Sequence, residues 1–427
     1  MLDPASSKNP TLPAGMRDWL PAEAAALSVL ARRVLGSCEE FGYQRVTVPA
    51  FEYAEVLERG LGALDPTEVL RFVEPETGEI VALRPDMTPQ IARLTASRLG
   101  DRPLPARIAY EGSVVRLRRE RARRRRQIPQ AGAELIGAHA PEGDREVLEV
   151  CVASVRSAGL SDFVLDLSHA RVAGALLEEA APQVRTGLIE ALSVRDPALV
   201  RQRASRASLS HATARALGNL VDLAGGPEVL SRAEQLLAST AAAAGVRSLR
   251  SMVDWVAEQG LAPRLFVDCA DVRHLAYYTG TLFQILAEGP GEPVASGGRY
   301  DNLLARFGPA WPAAGFAVDL DNLAWAVGSD ARAATEGVVL SGAAADELAK
   351  LAAGLRERGV RAVCSESGEA YARGWGFTHH VHLGGADRVI ALATGHVVSL
   401  SGGSSAERAE RIAAVLKQSR GGVGDGE

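Results

Sequence analysis

Lysine is nearly absent from this chain of 427 residues. Only Lys8, Lys350 and Lys417 occur, although lysine and arginine together number 47. No G-x-x-x-x-G-K-[ST] segment is present, which excludes a P-loop nucleotide site. Scarce lysine also argues against Schiff-base chemistry and so against a pyridoxal phosphate enzyme. We expect arginine to hold any phosphate group, because its planar guanidinium suits bidentate contacts.

Cysteine is also scarce, and the chain lacks a C-x-x-C pair. The four cysteines, Cys38, Cys151, Cys269 and Cys364, are scattered, which argues against a disulfide framework or a zinc site. No apolar run is long enough to cross a membrane, and the polar N-terminal stretch lacks the apolar core of a signal peptide. We therefore predict a cytoplasmic protein without a membrane segment, a bound metal or a cofactor.

Positive charge is concentrated in one segment. The net charge is −5, yet eight of the eleven residues from Arg116 to Arg126 are arginine. The runs ARIAYEGSVVRL and QAGAELIGA on either side have strand patterns, so we predict a hairpin with a long basic loop. A solvated loop is one explanation of the arginines. The other is a contact with an anionic ligand, RNA or an acidic partner surface.

Strand-like and helix-like runs follow one another without regular βαβ alternation, which predicts an α+β fold with an antiparallel sheet. The chain is long enough for two or three domains. The predicted divisions are a disordered lead-in (1–11), a core domain (12–330) with a helical insertion (about 170–260), a small α/β domain (335–419) and a disordered tail (420–427).

Three local patterns give testable predictions. The run YQRVTVPAF predicts a strand that carries Pro49, which favours a sheet edge. The run EIVALRPDMTPQIARL predicts a strand, a turn and then a helix, with Thr88 as N-cap and Pro89 as first helical residue. The stretch HHVH places His380 and His382 on one strand face, but no third ligand is close in sequence, so we predict no metal site there.

Four segments, in order, resemble signature segments of the class II aminoacyl-tRNA synthetases, and most specifically of the histidyl-tRNA synthetases. They are LRPDMTPQIAR, the stretch from YEGSVVR to RQIPQAGAE, VRHLAYYTGTLF, and SGGRYDNLLARFG followed by AAGFAVDLDNL. The resemblance covers roughly residues 12–325 and implies the class II antiparallel sheet with flanking helices and a helical insertion. The segment GYQRVTVPAFEYAEVLERG resembles the dimerisation motif of that class, which implies a dimer. The C-terminal domain loosely resembles an anticodon-binding domain.

The same segments depart from the synthetase pattern around the nucleotide. Asn322 stands where the third motif of the family ends in an arginine that contacts ATP, and Asp319 replaces a glycine. Ala276 replaces an acid, and Pro129 replaces a histidine. One paralogous family, the regulatory subunits of ATP phosphoribosyltransferase, is similar to histidyl-tRNA synthetase. This chain resembles that family closely in the segments RPDMTPQIAR and QIPQAGAELIG. This resemblance implies a subunit without catalytic activity, required for the first step of histidine biosynthesis.

The resemblance also implies partners and a pocket for L-histidine. The partners are a separate, short catalytic subunit and a second copy of this chain, and tRNA is not expected. Glu134 would accept from the imidazole N–H, Asp86 from the ammonium, and Arg116 would face the carboxylate. Gln130 and Glu134 share one strand face, since they are four residues apart. The candidate histidine-binding residues are Asp86, Met87, Thr88, Arg116, Gln130, Glu134, Arg273, Tyr277 and Tyr278.

Structural roles and other functions stay open at this point. Asp86 could have no role beyond capping the following helix, and Glu134 could pair internally with Arg126. Either tyrosine could be a core aromatic. A working histidyl-tRNA synthetase is the alternative function, and an RNA-binding paralogue is a third. Asn322 is the residue that best separates the first two, because fold alone does not decide function.

Overall fold

We describe the protein from a computed structural model that covers residues 12–61, 69–117, 125–272, 278–328, 335–400 and 402–421. Two compact units make up the chain. The first contains the residues up to Asp18 and Leu27–Ser329, and the second contains Trp19–Ala26 and the residues from Asp330. The expected lead-in, most of the arginine loop and most of the expected tail lie outside the described residues.

The first unit combines strands and helices, as the sequence pattern predicts. Its strands are β1 (Gln44–Val46), β2 (Phe51–Tyr53), β3 (Arg71–Val73), β4 (Ile80–Leu83), β5 (Ala106–Val115), β6 (Gln127–Ile136), β7 (Val164–His169), β8 (Ala224–Gly225), β9 (Arg264–Asp268), β10 (Thr281–Leu286), β11 (Ala295–Arg299) and β12 (Ala313–Asp319). Its helices are α1 (Pro21–Glu40, which begins in the second unit), α2 (Ala54–Leu61), α3 (Thr88–Arg98), α4 (Glu142–Ser157), α5 (Ala170–Leu177), α6 (Pro182–Ser193), α7 (Pro197–Arg206), α8 (His211–Leu220), α9 (Val229–Leu237), α10 (Ala243–Glu258) and α11 (Leu320–Ala326). One 3₁₀ turn covers Leu304–Arg306.

Among the described residues, nine strands form the main sheet, in the order β1-β5-β6-β12-β11-β10-β7-β9-β8. The β1–β5 and β7–β9 pairs are parallel, and the other pairs are antiparallel. The α+β prediction is therefore confirmed. The helices α5 to α10, between β7 and β9, supply the expected helical insertion.

The two faces of the main sheet differ in chemistry. Ala131, Ala133 and Leu135 of β6 belong to a large apolar cluster that also contains residues of α1 and α4. Gln130 and Glu134 of the same strand lie on the opposite face, because side chains alternate along a strand. Burial of the apolar face against two helices thus fixes the register that brings the polar residues of β6 together on the other face.

Glycines keep space open on this polar face. Gly315 of β12 is paired with Glu134, and a Cβ there would overlap the carboxylate oxygen Oε2. A Cβ on Gly132 would lie 2.8 Å from the hydroxyl of Tyr110. A larger residue at either position would fill the space that these polar groups occupy.

Pro49 corrects one prediction. The run YQRVTVPAF is not one strand, because it forms β1 at the edge of the main sheet and then enters β2 of a separate sheet. Pro49 lies between the two strands. Its missing N–H therefore costs neither sheet a ladder hydrogen bond. The second sheet has the order β2-β4-β3.

The second unit is a small α/β fold. Its strands are β13 (Thr335–Ser341), β14 (Ala362–Cys364), β15 (Phe377–His382), β16 (Arg388–Ala391) and β17 (Val397–Ser399), in the order β14-β13-β15-β16-β17. Its helices are α12 (Ala345–Glu357), α13 (Gly368–Gly374) and α14 (Ser405–Gly421). Helix α14 continues two residues into the expected tail. No helix of the described residues in either unit is long and apolar enough to cross a lipid bilayer.

Candidate functional site

Glu134 is the centre of the polar cluster on the main sheet. Its side chain is 1% exposed. Its Oε1 accepts hydrogen bonds from Thr88 Oγ1 at 2.7 Å and from the Tyr110 hydroxyl at 3.1 Å, and its Oε2 accepts from the Tyr300 hydroxyl. Burial raises the pKa of Glu134 to about 8, although the three hydroxyls act in the opposite direction. A ligand N–H that donates to this carboxylate would further favour the ionised form.

Thr88 reaches Glu134 because it begins α3 rather than preceding it. The prediction of Thr88 as N-cap is wrong, since Met87 is the N-cap and makes no side-chain capping bond. Asp86 Oδ1 accepts from the Thr88 backbone N–H at 2.9 Å, so the capping role considered for Asp86 is real. The hydroxyl of Thr88 is thereby left for Glu134.

Arg116 lies beside Asp86 at the end of the hairpin strand β5. Its Nε donates to the Pro85 carbonyl at 2.7 Å, and one terminal nitrogen is 3.9 Å from Asp86 Oδ2. The side chains of Arg116 and Asp86 are 26% and 33% exposed. This pair places one cation and one anion at the open side of the Glu134 cluster. An anion and a cation are the two charges that can match the ammonium and the carboxylate of a free amino acid.

Tyr278 joins the same cluster. Its ring centroid is 6.4 Å from that of Tyr300. Burial raises the pKa of Tyr278 first, and the charges of Asp86 and Glu134 raise it further. The sequence-predicted residues Arg273 and Tyr277 lie outside the described residues.

A cavity of about 440 Å³ extends from Tyr278 toward the helical insertion. Thr279 and Asn302 of the core line it on one side, and Arg171, Glu178 and Arg185 of the insertion line it on the other. Arg171 and Glu178 form an ion pair at 2.6 Å. The cavity is large enough to admit a free amino acid to the edge of the cluster.

Two of the predicted residues have different surroundings. Gln130 is 7% exposed and lies on the same face of β6 as Glu134, opposite Gly112 and Asp319 of the neighbouring strands. The side chain of Met87 is fully buried in an apolar cluster. The structure thus brings Asp86, Thr88, Arg116, Glu134 and Tyr278 together, keeps Gln130 on their face, and gives Met87 a packing role.

Sequence reasoning missed two partners of Glu134. Tyr110 and Tyr300 are both almost completely buried and both donate to its carboxylate, where the sequence suggested Arg126. Each tyrosine lies in a quoted segment, AYEG or GGRYD, but neither is close to Glu134 along the chain. Asp271 was also missed, and it accepts from Ser168 Oγ at 2.8 Å. A buried tyrosine needs a partner for its hydroxyl, which was the only available signal.

Asn322 and its neighbours make several internal contacts. The Asn322 amide donates to the Pro293 carbonyl at 2.9 Å, and Asp319 Oδ1 caps α11 by accepting from the N–H groups of Asp321 and Asn322. Arg125 forms an ion pair with Asp321. A cavity of about 10 Å³ lies here, and Glu292, Asp319 and Asp321 are among the described residues that line it.

The histidine pair of the second unit is bridged by a serine. Ser341 Oγ is 2.8 Å from His380 Nε2 and 3.4 Å from His382 Nδ1. Ser341 belongs to β13, which pairs in parallel with β15. No group of three histidine, cysteine or acidic side chains among the described residues could hold a metal ion.

Comparison with known proteins places the chain in a family. Residues 15–323 match the family model for histidyl-tRNA synthetase. The chain is 39% identical over 365 residues to an ATP phosphoribosyltransferase regulatory subunit of Moorella thermoacetica, which covers 85% of this chain and 93% of that protein. It is 42% identical over 313 residues to one of Anaeromyxobacter sp. strain Fw109-5, which covers 73% of this chain and 91% of that protein.

A solved structure agrees with this placement. A crystal structure from Bacillus halodurans C, described as an ATP phosphoribosyltransferase regulatory subunit/histidyl-tRNA synthetase, superposes with a TM-score of 0.76 at 28% identity. The match covers 88% of this chain and 98% of that chain. The expected class II synthetase-like fold is therefore confirmed. The chain belongs to the histidyl-tRNA synthetase-like family and, within it, to the regulatory subunits of ATP phosphoribosyltransferase.

Proposed function

We propose that this chain binds L-histidine in the Glu134 cluster and regulates a separate, short catalytic subunit of ATP phosphoribosyltransferase by feedback. The single observation that carries the proposal is the buried carboxylate of Glu134, held by three hydroxyls beside the Asp86–Arg116 pair. The regulated reaction would be the first step of histidine biosynthesis. The chain itself would have no catalytic activity.

The chemistry of free histidine supports this assignment. Its imidazole N–H would donate to Glu134, its carboxylate would meet the Arg116 guanidinium, and its ammonium would meet Asp86. Charge-assisted hydrogen bonds of this kind are stronger than neutral ones. An amino acid without the imidazole would leave the buried Glu134 without a ligand donor, which is how such a pocket discriminates.

The Asn322 region supports the absence of catalysis. A synthetase needs a site for the ATP triphosphate, whereas three carboxylates, Glu292, Asp319 and Asp321, line the small cavity beside Asn322. The carboxylates would repel a triphosphate, and Arg125 is already paired with Asp321. Removing one preorganised charge contact typically slows a reaction by about 10²–10³-fold, and several are changed here.

Histidine-dependent ATP–pyrophosphate exchange tests this part of the proposal. We expect no exchange above background from the purified chain, since the arginine contact is replaced by Asn322. A histidyl-tRNA synthetase assayed in parallel provides the positive control. Exchange at synthetase-like rates by this chain would establish the alternative function and overturn the regulatory assignment.

An exposed aromatic face supports self-association. Phe51, Tyr53 and Phe72 are 43%, 46% and 39% exposed and lie on one face of the β2-β4-β3 sheet. The rings of Phe51 and Phe72 pack edge to face with centroids 5.5 Å apart. Contiguous exposed apolar patches usually mark interaction surfaces. We propose that this face contacts a second copy of the chain, so that the dimer forms the core of a hetero-oligomer.

A further inference from the structure

The second unit has a cavity of its own, with a volume of about 330 Å³. Helix α14 and the turn that follows α12 form its walls. The cations Arg358, Arg361 and Lys417 line it together with the apolar floor residues Val360, Ala413 and Leu416, and no acidic side chain is among the described residues that line the cavity. Lys417 is one of only three lysines in the chain, so a residue type that the sequence otherwise avoids occurs here.

The end of α12 accounts for only one of these three cations. Its last carbonyls already accept backbone bonds, from Gly359 N–H to Arg356 and from Val360 N–H to Leu355. Arg358 donates to the Gly354 carbonyl at 2.9 Å. Within the described residues, the side chains of Arg361 and Lys417 have neither a hydrogen bond nor an ion pair. Two cations are therefore available to a ligand.

We propose that this cavity binds a small organic phosphate, with the phosphate between Arg361 and Lys417 and the organic part on the apolar floor. A guanidinium gives a phosphate a bidentate fork, and an ammonium adds a compact point charge. The volume is at the lower end of the range for small-molecule pockets, about 300–1,000 Å³.

Calorimetry on the full-length chain tests this proposal. The probes are adenosine monophosphate, ribose phosphate, inorganic phosphate and, as the uncharged control, adenosine. We expect both phosphate esters to bind more tightly than inorganic phosphate, and adenosine not to bind. Affinity should fall as NaCl is raised, because the cations are exposed. The ester that binds more tightly identifies the source as a nucleotide or a sugar phosphate.

Variants locate the site. The double variant with Arg361→Gln and Lys417→Gln should bind the esters about tenfold more weakly or worse, since about 1.4 kcal/mol corresponds to a factor of ten. Lys350→Gln removes an exposed lysine of α12 that does not line the cavity and should leave binding unchanged. An unchanged thermal midpoint in each variant shows that the fold is retained.

Two results would overturn the proposal. One is the failure of both esters to bind the parent chain at millimolar concentration and low salt. The other is equal binding by the parent and the double variant. Histidine titration of the same variants keeps this test separate from the proposed function, because the Glu134 cluster belongs to the first unit and should bind histidine whichever result is obtained.

Discussion

At the scale of single residues, Glu134 is the group on which histidine recognition depends. Glu134→Gln keeps the shape but removes the charge that would accept the imidazole N–H. We expect histidine binding to weaken by about 1.5–3 kcal/mol, which is roughly ten- to a hundredfold. Glu111→Gln is the matched control, because Glu111 lies on the neighbouring strand and is paired with Ala131 on the other face of the sheet. Equal calorimetric affinity for the Glu134 variant and the parent would refute the site.

The pH dependence of histidine affinity follows from the same residue. With its pKa raised to about 8 by burial, Glu134 is mostly neutral at pH 7 in the empty site. The histidine imidazole has a pKa of about 6.5 when free. The bound pair of Glu134 carboxylate and histidine imidazolium carries one proton. At a pH between these two pKa values, the empty site and free histidine together also carry one proton, on Glu134. Below this pH range, binding must release a proton, and above it binding must take one up. Histidine affinity should therefore fall as the pH moves out of the range in either direction. Calorimetry across pH checks this, and an affinity that keeps rising above pH 8 would contradict it.

The sequence predicted part of this site. Asp86, Thr88, Arg116 and Glu134 were expected in one site because they lie in segments that resemble a known family, and the structure brings these side chains together. Tyr110 and Tyr300 could not be expected there, since their contacts with Glu134 depend on strand pairing and on a loop far along the chain. The prediction of Thr88 as an N-cap was wrong, because it rested on capping propensity alone. In the structure, the Thr88 hydroxyl donates a hydrogen bond to the buried Glu134 carboxylate instead.

At the scale of secondary-structure elements, the glycines of β12 and its neighbours determine whether the polar face stays open. Gly315→Ala would place a methyl group against Glu134 Oε2, so we expect histidine binding to be lost. Gly36→Ala is the control, because a Cβ at Gly36 of α1 meets nothing within 4 Å. That change should stabilise the chain by about 0.5–1 kcal/mol, since glycine is a poor helix former. Thermal unfolding distinguishes a blocked site from an unfolded chain, and unaltered histidine binding by Gly315→Ala would contradict the account.

Element predictions succeeded where the pattern was periodic and local. The β5–β6 hairpin and the helices of the insertion were expected from hydrophobic spacing. Strand β11 was not predicted as a strand, because glycines such as Gly297 and Gly298 lower strand propensity although they permit close approach within the sheet. Helix α13 was missed because it is only seven residues long, too short to show clear periodicity.

At the scale of the whole molecule, regulation requires that this chain and a catalytic subunit form one complex. We expect the purified chain to be at least a dimer and to co-elute with a short ATP phosphoribosyltransferase on sizing. Phe72→Ser should weaken the self-association without altering histidine binding, because it changes the exposed aromatic face and not the Glu134 cluster. A parent chain that stays monomeric at micromolar concentration would contradict the proposed dimer.

Linkage makes the regulatory claim quantitative. If histidine lowers the activity of the complex through this chain, the coupling free energy between the two sites should be about 1–3 kcal/mol. Coupling of binding is reciprocal, so the substrates of the catalytic subunit should change the histidine affinity of the complex by the same factor with which histidine changes theirs.

The rate of phosphoribosyl transfer by the separate catalytic subunit, followed during a histidine titration with and without this chain, tests the central claim most directly. The account predicts that the rate depends on the chain, that histidine lowers it, and that Glu134→Gln shifts the inhibition to higher histidine concentration while Glu111→Gln does not. A catalytic rate that is the same with and without the chain, or inhibition that Glu134→Gln leaves in place, would contradict it.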